Sequence, residues 1–130
     1  MKPATDFFEI EQIDETIILT PTADMGELDN ERINSAMKHV LDLLTNSSIK
    51  NLVLDFHRTE YYGSTALGFF VRLWKTVSGR KGRMAFCNAS EHEKEILKIT
   101  KLDSLWDICA TREESLRVVQ TPPKPGEASA

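Results

Sequence analysis

Ser64 stands in the run Gly63-Ser64-Thr65-Ala66-Leu67-Gly68, after a nearly unbroken apolar stretch, Leu52 to Phe56, and before a helical pattern. A hydroxyl at the start of a helix meets free amide donors and a partial positive charge. It can cap the helix, as serine commonly does, and a phosphate there would be held by the same donors. Other chemistry finds little support. The run is not the G-x-S-x-G turn of hydrolases, because the serine directly follows the glycine. Gly79-Arg80-Lys81-Gly82 is not a phosphate-cradling G-x-x-x-x-G-K-[ST] loop. His39, His57 and His92 show neither H-x-x-x-H nor H-E-x-x-H spacing, so a zinc site is not expected. His39 and His92 sit on helical patterns beside charged residues and read as surface positions. Neither a metal nor a cofactor is expected, and no nucleophile is paired with a base. On these residues no enzyme is expected. An enzyme or nucleotide binder would rest only on the tendency of parallel sheets to hold ligands at strand C-termini.

Strands and helices must position that serine. Phe7 to Ile13 alternates Phe8 and Ile10 with Glu9 and Glu11, and Thr16 to Thr20 is rich in β-branched residues. With Asp14-Glu15 between them these read as a hairpin, ended by Pro21. Thr22 to Leu28 is a polar loop. Asp29 reads as a helix N-cap, followed by Ile33, Met37, Val40, Leu41 and Leu44 at helical spacing. Leu52 to Phe56 reads as a strand buried on both faces, as in a parallel sheet. His57 to Gly63 is a loop. The helix opened by Ser64 carries Leu67, Phe70, Val71, Trp74 and Val77 as its core stripe and ends at Ser78-Gly79. Phe69 falls beside that stripe, on the side of Arg72 and Thr76. There it lies either at the core margin or on a partner surface. Met84 to Cys87 is a short buried strand. Ser90 to Glu93 and Thr111 to Glu114 are capping boxes, and Leu105 to Ile108 is a possible last strand. The order β-β-α-β-α-β-α-β-α predicts a single α/β domain, a mixed, mostly parallel sheet of about five strands with about four helices.

The 130 residues suit one domain, placed at 1–120, with a disordered tail over 121–130 containing Pro122, Pro123, Pro125 and Gly126. The formal charge of −4 does not suit nucleic acid. The basic cluster Arg80-Lys81 and Arg83 flanks Gly79 and Gly82 and reads as a turn. Met1 to Asp6 holds no apolar signal region, and no apolar run approaches a membrane span. Cys87 and Cys109 read as reduced, buried thiols. A cytoplasmic protein follows.

Gly26-Glu27-Leu28-Asp29, Leu52-Val53-Leu54-Asp55-Phe56, Ser64-Thr65-Ala66-Leu67-Gly68 and Thr100-Lys101-Leu102-Asp103 occur in this order along Phe7 to Val119. In order and spacing the chain resembles the STAS domain family, and within it the anti-sigma factor antagonists of bacteria. That resemblance implies binding to an anti-sigma factor that is also a serine kinase, which frees a sigma factor and regulates transcription. It implies phosphorylation at Ser64, or alternatively Thr65, which ends binding, and a serine phosphatase that reverses it. Asp29 matches the family's acidic residue near the phosphorylation site. The surface expected to meet the partner comprises Asp29, Arg58, Glu60, Tyr62, Gly63, Thr65, Phe69 and Arg72. Gly63 stands where the family has Asp, Ala66 where it has Gly, and Lys101 replaces the glycine of T-G-L-D. The departure at Gly63 keeps a second reading open: an unphosphorylated scaffold or sensor component using Phe69 and the loop His57 to Tyr62.

Overall fold

The computed structural model describes residues 7–24, 30–45 and 47–121. Asp29, the expected first N-cap, and the tail beyond residue 121 lie outside them. The elements are β1 (Phe8–Ile13), β2 (Thr16–Pro21), α1 (Asn30–Thr45), β3 (Asn51–Asp55), α2 (Ser64–Ser78), β4 (Met84–Cys87), α3 (Glu91–Ile99), β5 (Asp107–Cys109) and α4 (Arg112–Gln120). A 3-10 turn, Leu102–Ser104, precedes β5. The expected order of strands and helices is thus the observed one.

The five strands lie in sequence order across one sheet. β1 and β2 form an antiparallel hairpin, with Phe8 opposite Pro21. Its turn depends on Asp14, whose φ of 53° is left-handed, a conformation that aspartate tolerates better than most residues. All later pairings are parallel. β-α-β crossovers are right-handed in nearly every case, so steps taken in one direction put their helices on one face. Strand alternation then builds two cores. Phe8, Ile17, Leu19, Leu52, Leu54 and Phe86 face Met37, Val40 and Leu44 of α1, Phe70 and Leu73 of α2, and Leu97 of α3. On the other face Ile18, Val53, Ala85, Cys87 and Cys109 meet Val119 of α4. β3 is buried throughout because both of its faces are covered. Both cysteines are free and buried, as expected.

Gly82 ends the turn after α2. A Cβ there would lie 1.7 Å from the Lys50 carbonyl oxygen, so the close approach of two backbones requires glycine.

Three local expectations need correction. The buried residues of α2 are Ala66, Phe69, Phe70, Leu73 and Val77, whereas Leu67, Val71 and Trp74 are half-buried. The helix has apolar residues over a wide arc, and packing chose the neighbouring row as its centre. The last strand begins later than Leu105, because the Leu105 amide closes the 3-10 turn on the Leu102 carbonyl at 3.0 Å. The Ser90 capping box is complete. At Thr111 only half forms: its hydroxyl accepts from the Glu114 amide at 3.1 Å, but Glu114 Oε1 accepts from Ala110 N, one residue before the cap.

Candidate functional site

The parallel strands end where β3 hands the chain to the loop Phe56–Gly63 and then to α2. Each part of this loop is anchored. The Phe56 amide donates to the Cys87 carbonyl at 2.9 Å. Its ring packs on Tyr62 and Phe86 at centroid distances of 5.4 and 4.8 Å. The amides of Glu60 and Tyr61 donate to Asp24 Oδ1 at 2.9 and 3.4 Å. From the side of α3, Ser90 Oγ donates to the Glu60 carbonyl at 2.8 Å. Thr59 Oγ1 donates to Glu93 Oε2 at 2.7 Å, and Tyr62 OH donates to the Glu93 carbonyl at 2.8 Å. The Tyr61 ring stacks on His92, centroids 5.6 Å apart.

This platform delivers Ser64 to the surface. Ser64 is exposed and is the first residue of α2. The cap position belongs instead to Gly63, buried and extended (φ −98°, ψ −174°), with no side-chain cap hydrogen bond. The expected capping serine is therefore displaced by one residue into the helix. As the first residue of α2, Ser64 lies at the positive end of the helix dipole, where negative charge is favoured.

Two buried carboxylates flank the platform. Asp55, at the end of β3, faces α4. Its Oδ1 accepts from His57 N at 3.1 Å and Asn88 Nδ2 at 3.0 Å, and lies 3.0 Å from His57 Nδ1. Its Oδ2 accepts from Arg112 Nε at 3.0 Å, and Arg112 also donates to Glu11 at 2.8 Å. Burial alone would push the Asp55 carboxyl up, but the hydrogen bonds from Asn88, His57 and Arg112 outweigh it and hold the group below its ordinary range. Glu93 behaves oppositely: burial pushes it up, and bonds from Ser90 and Thr59 offset only part of that.

The candidate partner-facing residues divide accordingly. Arg58, Glu60 and Ser64 are exposed along this edge, and Thr65 is half-buried. Arg58 is already paired with Glu9 at 3.0 Å. Arg72 is exposed but lies two turns along α2, about 12 Å from Ser64 at 1.5 Å per residue. Tyr62 and Phe69 are each 1 % exposed, which corrects their assignment as contact residues. Phe69 packs against Phe8, centroids 5.8 Å apart, and Tyr62 sits against Phe56 and Phe70. Gly63 is buried as well and offers a partner no side chain. Asp29 lies outside the described residues. Among the described residues no group of His, Cys, Asp or Glu could hold a metal ion, and no helix is long and apolar enough to cross a membrane.

Comparison with known proteins agrees with this fold. The family model for the STAS domain matches residues 7–115. The chain belongs to the STAS domain family. A protein of Thermotoga neapolitana that carries the name of an anti-sigma factor antagonist is 30 % identical to this STAS domain over 113 residues, covering 87 % of this chain and 97 % of that protein. The crystal structure of a Thermotoga maritima protein named in the same way superposes with a TM-score of 0.78 at 25 % identity, covering 88 % of this chain and 95 % of the other. The Bacillus cell fate determinant SpoIIAA in its phosphorylated form shares the STAS fold, with a TM-score of 0.67, 16 % identity, and coverage of 86 % and 98 %.

Sequence reasoning missed Asp24, Asp55, Glu93 and Arg112 as supports of the site. The S-x-x-E spacing at Ser90 pointed to the cap that Glu93 makes but not to its second oxygen.

Proposed function

We propose that this STAS domain is a cytoplasmic anti-sigma factor antagonist. It binds an anti-sigma factor that is also a serine kinase, and phosphorylation of Ser64 switches that binding off until a serine phosphatase restores it. The observation that carries this reading is the exposure of Ser64 as the first residue of α2. A kinase can reach it there, and a partner can cover it. The names of the Thermotoga relatives support the partner class.

The chemistry of the switch needs no refolding. A phosphate on Ser64 adds about −1.5 to −2 charges at neutral pH, with three acceptor oxygens. In the free protein the α2 dipole and solvent stabilise it. Under a docked partner it loses solvent beside the exposed Glu60, and like-charge juxtaposition at an interface costs several kcal/mol. Arg58 is paired with Glu9 through Nη1, which offsets part of the charge it could bring to a phosphate. Gly63 in place of an aspartate leaves one carboxylate fewer beside the hydroxyl. Ser64→Asp should therefore weaken binding to the cognate anti-sigma factor in calorimetry by about tenfold or more, the equivalent of 1.4 kcal/mol, while Ser64→Ala should leave it unchanged. Equal affinities for wild type and both variants would remove the switch.

The same replacement at Gly63 favours one second reading, an unphosphorylated scaffold or sensor component. It is ruled out by a phosphopeptide containing Ser64 or Thr65 in protein isolated from cells.

A further inference from the structure

We propose that Glu93 is a positioning residue for the Ser64 platform: its carboxylate and main-chain carbonyl, on α3, lock the segment Thr59–Tyr62 that sets where Ser64 emerges. The functional part of this proposal rests on the reading of Ser64 as a partner-facing switch.

Helix capping alone does not account for Glu93. A capping box uses one glutamate oxygen, here Oε1 accepting from Ser90 N at 2.9 Å. Glu114 provides the comparison within the same chain. Its carboxylate takes an amide one residue before its cap, Ala110 N, at 3.0 Å while only half-buried. Glu93 is 0 % exposed, and burying a carboxylate is costly unless its oxygens are bonded. Its second oxygen is bonded, and to the loop: Oε2 accepts from Thr59 Oγ1 at 2.7 Å. The Glu93 carbonyl accepts from the Tyr62 hydroxyl, and the neighbouring Ser90 hydroxyl donates to the Glu60 carbonyl. Glu93 and its cap partner thus hold Thr59, Glu60 and Tyr62 from one helix end, and Asp24 holds the Glu60 and Tyr61 amides from another loop. These ties fix the loop on its way to Ser64. The upward push that burial gives the Glu93 carboxyl fits a group retained for these contacts despite its desolvation.

Amide hydrogen exchange on the full chain tests this without a partner. In Glu93→Ala the amides from Thr59 to Ser64 should exchange roughly tenfold or more faster, beyond any change in β2 and β3, because the buried Thr59 hydroxyl loses its 2.7 Å bond and keeps only the 3.5 Å contact with the Phe56 carbonyl. Glu93→Gln should restore protection, since its carbonyl oxygen can accept from Ser90 N and its amide can donate to Thr59 Oγ1. Val53→Ala, in the opposite core, should raise exchange without this local excess. If Glu93→Ala does not fold, Thr59→Val, which keeps the cap and removes the tie, carries the same expectation. The proposal fails if the alanine or valine variant shows the Val53→Ala pattern, or if Glu93→Gln is as perturbed as Glu93→Ala. These readouts need no switch at Ser64, whereas equal affinities of Ser64→Asp and wild type would sink the switch and leave the exchange result standing.

Discussion

Replacing Asp55 with asparagine preserves the shape of the side chain while removing its charge and one of its two acceptor oxygens. In the native protein Oδ1 receives His57 N and Asn88 Nδ2, and Oδ2 receives Arg112 Nε. The asparagine can keep the first set, but its amide group then faces the Arg112 guanidinium. A hydrogen bond to a charged group contributes about 1.5–3 kcal/mol, and breaking a buried ion pair costs about 3–5 kcal/mol. The Arg112 side chain is 28 % exposed and keeps Glu11 at 2.8 Å, so the loss falls towards the lower figures, about 2–4 kcal/mol. For a domain of this size that lowers Tm by roughly 6–16 °C. The sign of the pH dependence follows from the carboxyl being held below its ordinary range in the folded state. Its stabilising contribution is complete above the unfolded value of about 3.9 and disappears as pH falls through the lower folded value. Urea unfolding of wild type and Asp55→Asn at pH 7 and at pH 3 measures both effects. The gap between the two proteins should be about 2–4 kcal/mol at pH 7 and should narrow at pH 3. A gap of the same size at both pH values would refute the ionised hub, and a gap below about 0.5 kcal/mol at pH 7 would refute its importance.

Phe69→Ala should destabilise the fold by about 3–5 kcal/mol in denaturant unfolding, as loss of a buried phenyl ring does; a change below about 1 kcal/mol would return Phe69 to the surface. Burial pushes the Cys87 thiol up to about 12, so in the native state it should react with a thiol reagent only as fast as the fold opens. Rapid stoichiometric labelling of Cys87 in buffer would contradict its place beneath α4.

The fold was largely legible because its signals are local. Alternation in β1, the unbroken run of β3 and the helical spacing of Met37, Val40 and Leu44 each mark one element, and their order limits the topology. Around the candidate site the start of α2 at Ser64 could be read, and the buried residues that support it could not. Phe69 was ambiguous because α2 is apolar over two adjacent rows, and only packing against Phe8 selects between them. Tyr62 was misread because a polar loop is expected to lie on the surface, yet its ring completes a cluster with Phe56 and Phe70. Asp55 and Arg112 are 57 residues apart, so no local spacing could join them. Arg112 looked like an ordinary first-turn residue, and Asp55 like one acid in an apolar strand.

These missed residues share a physical role. A switch that works by placing charge under a docked partner gains most when the charged group cannot move aside. If the loop before α2 were pliable, a phosphate on Ser64 could swing into solvent and the interface could re-form around it. The loop is instead held from both sides of the sheet. Asp55 fixes its start through His57 against the α4 face, and Glu93 fixes its middle and end against α3. Both carboxylates are buried, so both ties act at low effective dielectric and are little weakened by salt. Raising the ionic strength should then reduce the effect of a charge at Ser64 on binding while leaving protection of the loop amides intact. Comparing Ser64→Asp affinity with amide exchange at low and high salt separates the two. Loss of loop protection at high salt would mean that the ties are solvent-exposed ion pairs, and the rigid platform would have no basis.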